Sequence, residues 1–252
     1  MLLVLILKAR RSLILLAVIL LAAALTPSAA LNADEIPDSV GDYSAAVSDL
    51  VKSHGRQSIE PVFEAGMKTT SRLQAVLPSL TEAQYQLVQQ EMQGFVVVRH
   101  PGEQSVVRPN LSFFKSLAKK KGTKSDRAFF DIYEQTEPDG NGPFPAYVRA
   151  EPNQETGCTM FAGKKLGDLY RGWLTFRTAN PDAYPNQAQG EMDAIENELE
   201  SGICSCDSAD ATAAGLQSFV DAFPNHPMTP KIKVRISTIR SGTSSFRFDC
   251  KA

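Results

Sequence analysis

Four cysteines constrain this chain more than any other feature. Two of them stand in Gly202-Ile203-Cys204-Ser205-Cys206-Asp207, and the other two, Cys158 and Cys250, lie at nearly equal distances upstream and downstream. The short loop is therefore where both flanking segments are expected to be fastened. Bonding Cys204 to Cys206 would close a very tight, strained ring, so each is expected to reach a distant partner. Cys158 with Cys204 and Cys206 with Cys250 is the first expectation. The crossed pairing, Cys158 with Cys206 and Cys204 with Cys250, stands close behind, and spacing does not separate the two. Either pattern closes two loops of roughly 44 to 48 residues, each stabilising the fold by about 3 to 4.5 kcal/mol in the chain-entropy model. A redox-active Cys-x-Cys pair and a four-thiolate zinc site are the competing readings of the same residues.

Disulfides require an oxidising compartment, and the first thirty residues point to one. Lys8, Arg10 and Arg11 precede the apolar run Leu13 to Leu25, and Ser28-Ala29-Ala30 places small residues where a signal peptidase cuts. The run is shorter than the roughly 20 residues that span a bilayer. A secretory signal peptide over residues 1–30, cut after Ala30, is the expectation; the apolar residues Leu2 to Leu7 make an uncleaved anchor the alternative. Removing that segment takes away three basic residues and no acidic ones, which leaves 23 Lys and Arg against 28 Asp and Glu. A mildly acidic chain lacks the basic surface on which nonspecific nucleic-acid binding depends, so no nucleic-acid partner is expected. No later segment has the length and apolarity of a membrane span.

Hydrophobic periodicity then organises residues 31–136 as a largely helical part. Residues 31–40 read as an exposed lead-in. Tyr43, Val47, Leu50 and Val51 mark a first helix ended by Gly55, and Ile59 to Val76 a second, with Pro61 in its first turn and Pro78 as its stop. Thr81 and Gln84 form a capping box for a third. Near 95–108 the period changes: Phe95-Val96-Val97-Val98 and Ser105-Val106-Val107 flank His100-Pro101-Gly102-Glu103, which predicts a mid-chain β-hairpin. Asn110 and Ser125 are expected to cap two further helices. Residues 137–157, rich in Pro, Gly and Asn, form a loop and a boundary, and Asp139-x-Asn141 there lacks the downstream Glu of a calcium loop.

Residues 158–252 make the disulfide-stapled C-terminal part, expected to form one compact unit with residues 31–136. Helical stripes recur through Leu166 to Leu174, through Met192, Ile195 and Leu199, and through Leu216 to Phe223. In Lys231-Ile232-Lys233-Val234-Arg235-Ile236 apolar and basic residues alternate strictly, which reads as a strand with Ile232, Val234 and Ile236 inward and the cations outward. Ser241-Gly242 would turn it into a second strand through Phe246 to Cys250. The expected fold class is α+β: mainly helical, with a mid-chain β-hairpin and a C-terminal β-hairpin, stapled by two disulfides.

No catalytic signature stands out. His54, His100 and His226 have no second histidine at metal-ligand spacing, and no G-x-S-x-G nucleophile elbow occurs. No catalytic residue, metal or cofactor is assigned. The cluster Lys115, Lys119, Lys120, Lys121 and Lys124 fits a helix C-terminus, where cations complement the dipole. The candidate binding surface is the cationic face Lys231, Lys233, Arg235 and Arg247, which suits a protein or an anionic glycan of the envelope or extracellular space. The expected role is therefore that of an exported, non-enzymatic binding or accessory protein, secreted or periplasmic. The alternative is a cell-wall or glycan hydrolase using paired carboxylates, with Glu151 and Glu155 as nominees.

Overall fold

Pro37 and Asp38 start a helix rather than leading up to one. A computed structural model of the protein describes residues 36–99, 105–138, 144–150 and 157–250. The expected signal segment and the Asp139-x-Asn141 motif lie outside the described residues. Helix α1 (Asp38–Lys52) buries Val40, Tyr43, Val47 and Leu50, so its stripe starts one turn earlier than Tyr43 suggests. Helix α2 (Glu60–Val76) carries Pro61 in its first turn and buries Val62, Phe63, Gly66, Thr69 and Leu73. A Cβ on Gly66 would overlap the Phe95 ring, so the helix approaches the hairpin only because that position has no side chain. A 3₁₀ turn at Leu77–Ser79 follows, and the expected Thr81/Gln84 capping box opens α3 (Glu82–Glu91).

The mid-chain hairpin forms as the sequence indicates. Strand β1 (Phe95–Val98) pairs antiparallel with β2 (Val106–Pro109) in the register Phe95 to Pro109 and Val98 to Val106. Asn110 caps α4 (Leu111–Lys120) by accepting from the Phe113 amide at 3.0 Å. Helix α5 (Lys124–Thr136) is capped two residues earlier than Ser125, because Thr123 and Asp126 form a capping box. Phe63 sits edge-on among the rings of Phe114, Phe129, Phe130, Tyr133 and Tyr184, the centre of the N-terminal core. Across this core Trp173, fully buried, donates to the Thr136 hydroxyl at 2.9 Å.

The second sheet lies elsewhere than expected. Strand β3 (Val148–Arg149), which falls within the stretch 137–157 expected to be a loop, pairs antiparallel with β4 (Cys158–Thr159). Beyond it come α6 (Lys165–Ala179), α7 (Pro185–Ser201), α8 (Ala209–Ala222) and α9 (Thr229–Arg240), for nine α-helices among the described residues. The fold is α+β and mainly helical. The expected C-terminal hairpin does not form among the described residues, and the stretch Lys231 to Ile236 belongs to α9.

The reason is an ambiguity of period. Ile232 and Ile236 fit both an alternating strand and a helix, whereas Ile239 fits the helical phase and Val234 the strand. Helix α9 buries Ile232, Ile236 and Ile239 and leaves Val234 64% exposed. Pro230 in the first turn fixes a helical φ, and packing of this stripe on α8 outweighs the strand preference of isolated Ile and Val.

The cysteine loop is the fastening point, with the crossed pairing: Cys158 bonds to Cys206 and Cys204 to Cys250. The first expectation, Cys158 with Cys204, fails because the backbone ladders set which cysteines face each other. Ser205 bridges Thr159 and Cys204 bridges Arg247, both in parallel sense. The Thr159 amide donates to the Cys204 carbonyl at 3.0 Å, and the Cys206 amide to the Thr159 carbonyl at 3.0 Å. On the other side, the Ser205 amide donates to the Arg247 carbonyl at 2.9 Å and the Cys250 amide to Ser205 at 2.8 Å. Ser205, fully buried, accepts from the Thr212 hydroxyl at 2.8 Å and so ties the ladder to α8.

Candidate functional site

Placing Lys231-Ile-Lys-Val-Arg-Ile on a helix redistributes the four expected cations. Arg235 turns inward. Its guanidinium donates to the Glu198 carbonyl at 2.9 Å and the Leu199 carbonyl at 2.6 Å, and also to the Gly202 carbonyl. The Leu199 and Gly202 carbonyls belong to the last turn and cap of α7, where helical partners run out, whereas the Glu198 carbonyl also accepts from the Gly202 amide at 3.1 Å. The group also lies over the Phe246 ring at 4.5 Å and the Phe161 ring at 5.5 Å. Burial pushes its pKa down to about 10, opposed by the nearby Glu198 carboxylate. Arg235 thus acts as a cap and packing element.

Lys231 pairs with Glu200 at 2.5 Å. Arg247 is exposed, and its backbone serves the cysteine ladder. Lys233 lines a cleft. About 440 Å³ in volume, that cleft runs between α9 and α8 and is walled by Gln217, Lys233, Ile236, Ser237, Arg240 and Ser241. Positions 233, 237, 240 and 241 share one helical face, so Arg240 joins Lys233 through a spacing of seven. Neither cation has an ion-pair partner among the described residues. Strand alternation concealed Arg240; a helical reading of the same segment would have found it.

The lysine cluster at the C-terminal end of α4 is partly committed to the fold. Lys115 bonds Glu134 at 2.6 Å, which raises its pKa, and Lys121 donates to the Ser53 carbonyl at 2.6 Å. His226, unassigned from sequence, joins a partly buried polar triad. The Tyr170 hydroxyl stands 2.7 Å from His226 Nε2 and donates to Glu196 at 2.8 Å, while the Met228 amide donates to His226 Nδ1 at 3.3 Å. With Nδ1 an acceptor, the imidazole proton sits on Nε2 and points at the phenol. The triad ties α6, α7 and the turn before α9 together.

Glu151 and Glu155 lie outside the described residues. A different pair of carboxyls interacts electrostatically: Glu137 at the end of α5 and Glu191 on α7. Burial, with the Glu191 charge adding, pushes Glu137 up to about 8, and burial pushes Glu191 up to about 7. Glu137 borders a cavity of about 220 Å³ with Tyr133, Met67 and residues of β2. Tyr133 and Tyr147 feel both carboxylates, and burial drives their phenol pKa values upward. Nothing in the sequence marks these two glutamates, since each sits in an ordinary polar context.

A further cleft of about 410 Å³ opens between α6 and α8. Comparison of the chain with models of protein families, with curated proteins and with solved structures gives no match. The two disulfides fit an extracellular or periplasmic setting, and no helix among the described residues is long and apolar enough to cross a membrane.

Proposed function

We propose that this protein is an exported, non-enzymatic binding protein that recognises an anionic glycan through the cationic face of α9. One observation carries the reading: Lys233 and Arg240 flank a polar cleft without ion-pair partners among the described residues. Two unpaired cations beside the hydroxyls of Ser237 and Ser241 and the amide of Gln217 suit carboxylate or sulfate groups surrounded by sugar hydroxyls. Cations left unpaired on an acidic protein attract such a partner at long range. Of the four cations the sequence suggests, Lys233 is central to this reading, Lys231 is paired with Glu200 on α7, Arg247 lies on the cysteine ladder, and Arg235 supports the helix from within.

The test is binding of the mature, oxidised protein to heparin and to polygalacturonate, with neutral dextran as control. Salt-sensitive binding to the anionic glycans, weakened by about tenfold or more in a Lys233→Glu, Arg240→Glu double variant, is the expected result. Binding that this double variant leaves unchanged would sink the proposal. A second reading, glycan hydrolysis by paired carboxylates, is supported by Glu137 and Glu191, whose raised pKa values suit a general acid. Release of reducing ends that Glu137→Gln and Glu191→Gln each abolish would favour it over binding alone.

A further inference from the structure

The cleft between α6 and α8 exists because three positions on its walls have no side chain. Gly163, at φ +82, turns the chain into α6. At Gly215 a Cβ would overlap the Phe161 carbonyl oxygen, so the wall loop can lie directly on α8 only with glycine there. A Cβ on Gly167 would meet only the Phe219 ring edge at 4.0 Å, so the space above it belongs to the cleft. The wall is also fixed from behind. Asp207 accepts from the Ala162 amide at 2.8 Å, and the Cys158–Cys206 bond holds the strand leading into the loop.

The floor is apolar, made of Phe161, Leu166 and Phe219, all buried beneath the opening. Charges on the rim are mostly committed. Asp168 pairs with Arg171 at 2.9 Å, Arg171 lies over the Phe223 ring, and Asp221 accepts from the Gln217 amide at 2.8 Å. Lys164 has no such partner among the described residues and stands at the start of α6, where the helix dipole adds positive potential. A pre-formed volume of about 410 Å³, with an apolar floor and one free cation at the mouth, has the character of a small-molecule site.

The geometry points to a binding site for a small anionic amphiphile, its apolar body over Phe161, Leu166 and Phe219 and its single carboxylate or sulfonate at Lys164. This site is separate from the α9 face and stands whether or not that face binds glycans. Two probes share one ring system and differ in charge: 8-anilinonaphthalene-1-sulfonate and the uncharged N-phenyl-1-naphthylamine. Titrated by fluorescence into the native, oxidised protein, each should saturate at one molecule per chain. Gly167→Leu, which fills the cleft from within α6, and Ala222→Trp, which covers it from the exposed rim, should each weaken both probes by about tenfold or more. Lys164→Glu should weaken the sulfonate several-fold and leave the uncharged probe unchanged. Thermal unfolding checks that each variant is folded; should Gly167→Leu fail to fold, Ala222→Trp at its exposed position decides. Folded variants that bind both probes like the wild type would overturn the site, and equal loss of both probes in Lys164→Glu would overturn the head-group assignment.

Discussion

The hydroxyl of Tyr184 donates to the carboxylate of Asp126 at 2.7 Å, with both residues fully buried. The same carboxylate accepts from the Ile59 amide at 3.2 Å, the Thr123 amide at 2.6 Å and the Thr123 hydroxyl at 2.7 Å. Asp126 therefore joins the starts of α2, α5 and α7. Tyr184 is held for this contact in a left-handed backbone at φ 51, with its ring stacked 3.7 Å from that of Phe129. Asp126→Ala strands several buried donors at once and should cost about 3 to 5 kcal/mol. Tyr184→Phe removes one donor of several and should cost about 1 kcal/mol. Denaturant midpoints at constant m-value measure both, and a mild Asp126→Ala would refute the hub.

Stability should fall as pH rises through neutrality. Glu137 and Glu191 keep their protons up to about 8 and about 7 in the folded chain. In the unfolded chain they release them near the ordinary value of about 4.3. Between these limits the folded state binds more protons, so the contribution is fully present below the unfolded value and is lost as pH climbs through the folded ones. Urea unfolding at about pH 5.5, 6.5 and 8 should show a declining midpoint, and Glu137→Gln with Glu191→Gln should flatten the decline. An unchanged slope in the double variant would contradict this account.

Peptide mapping without reduction should recover Cys158 joined to Cys206 and Cys204 joined to Cys250. Replacing both members of the first pair by Ser should lower stability by about 3 to 4.5 kcal/mol, since the bond closes a loop with a sequence separation of 48 residues. Free thiols, or a peptide joining Cys158 to Cys204, would refute the pairing.

Arg235→Gln should destabilise the protein by about 2 to 4 kcal/mol, because three carbonyls at the end of α7 lose a charged donor and two rings lose their cation. Lys233→Gln, at an exposed position, should change stability by less than about 0.5 kcal/mol. Similar thermal shifts for the two variants would show that Arg235 is not the cap.

Helices with a long stripe and a local cap were legible. The capping box at Thr81 and Gln84 and the β-branched runs around residue 100 carry their signals within a few neighbouring residues. The candidate site was legible only in part. Lys233 was visible as a surface cation, whereas Arg240 was hidden by the wrong period, and Arg235 gave no sign that its charge would be consumed inside. Glu137 and Glu191 lie far apart in the chain and acquire raised pKa values only through shared burial.

The sequence by itself determined that this is a mainly helical α+β chain with its cysteines fastened at Cys204-Ser205-Cys206, because periodicity, caps and cysteine spacing are local or countable. Only the tertiary structure decided which cysteines pair and whether Lys231 to Ile236 is strand or helix. In both cases the competing answers satisfy the local chemistry equally. The parallel ladder around Ser205 broke the first tie, and packing of Ile232, Ile236 and Ile239 against α8 broke the second.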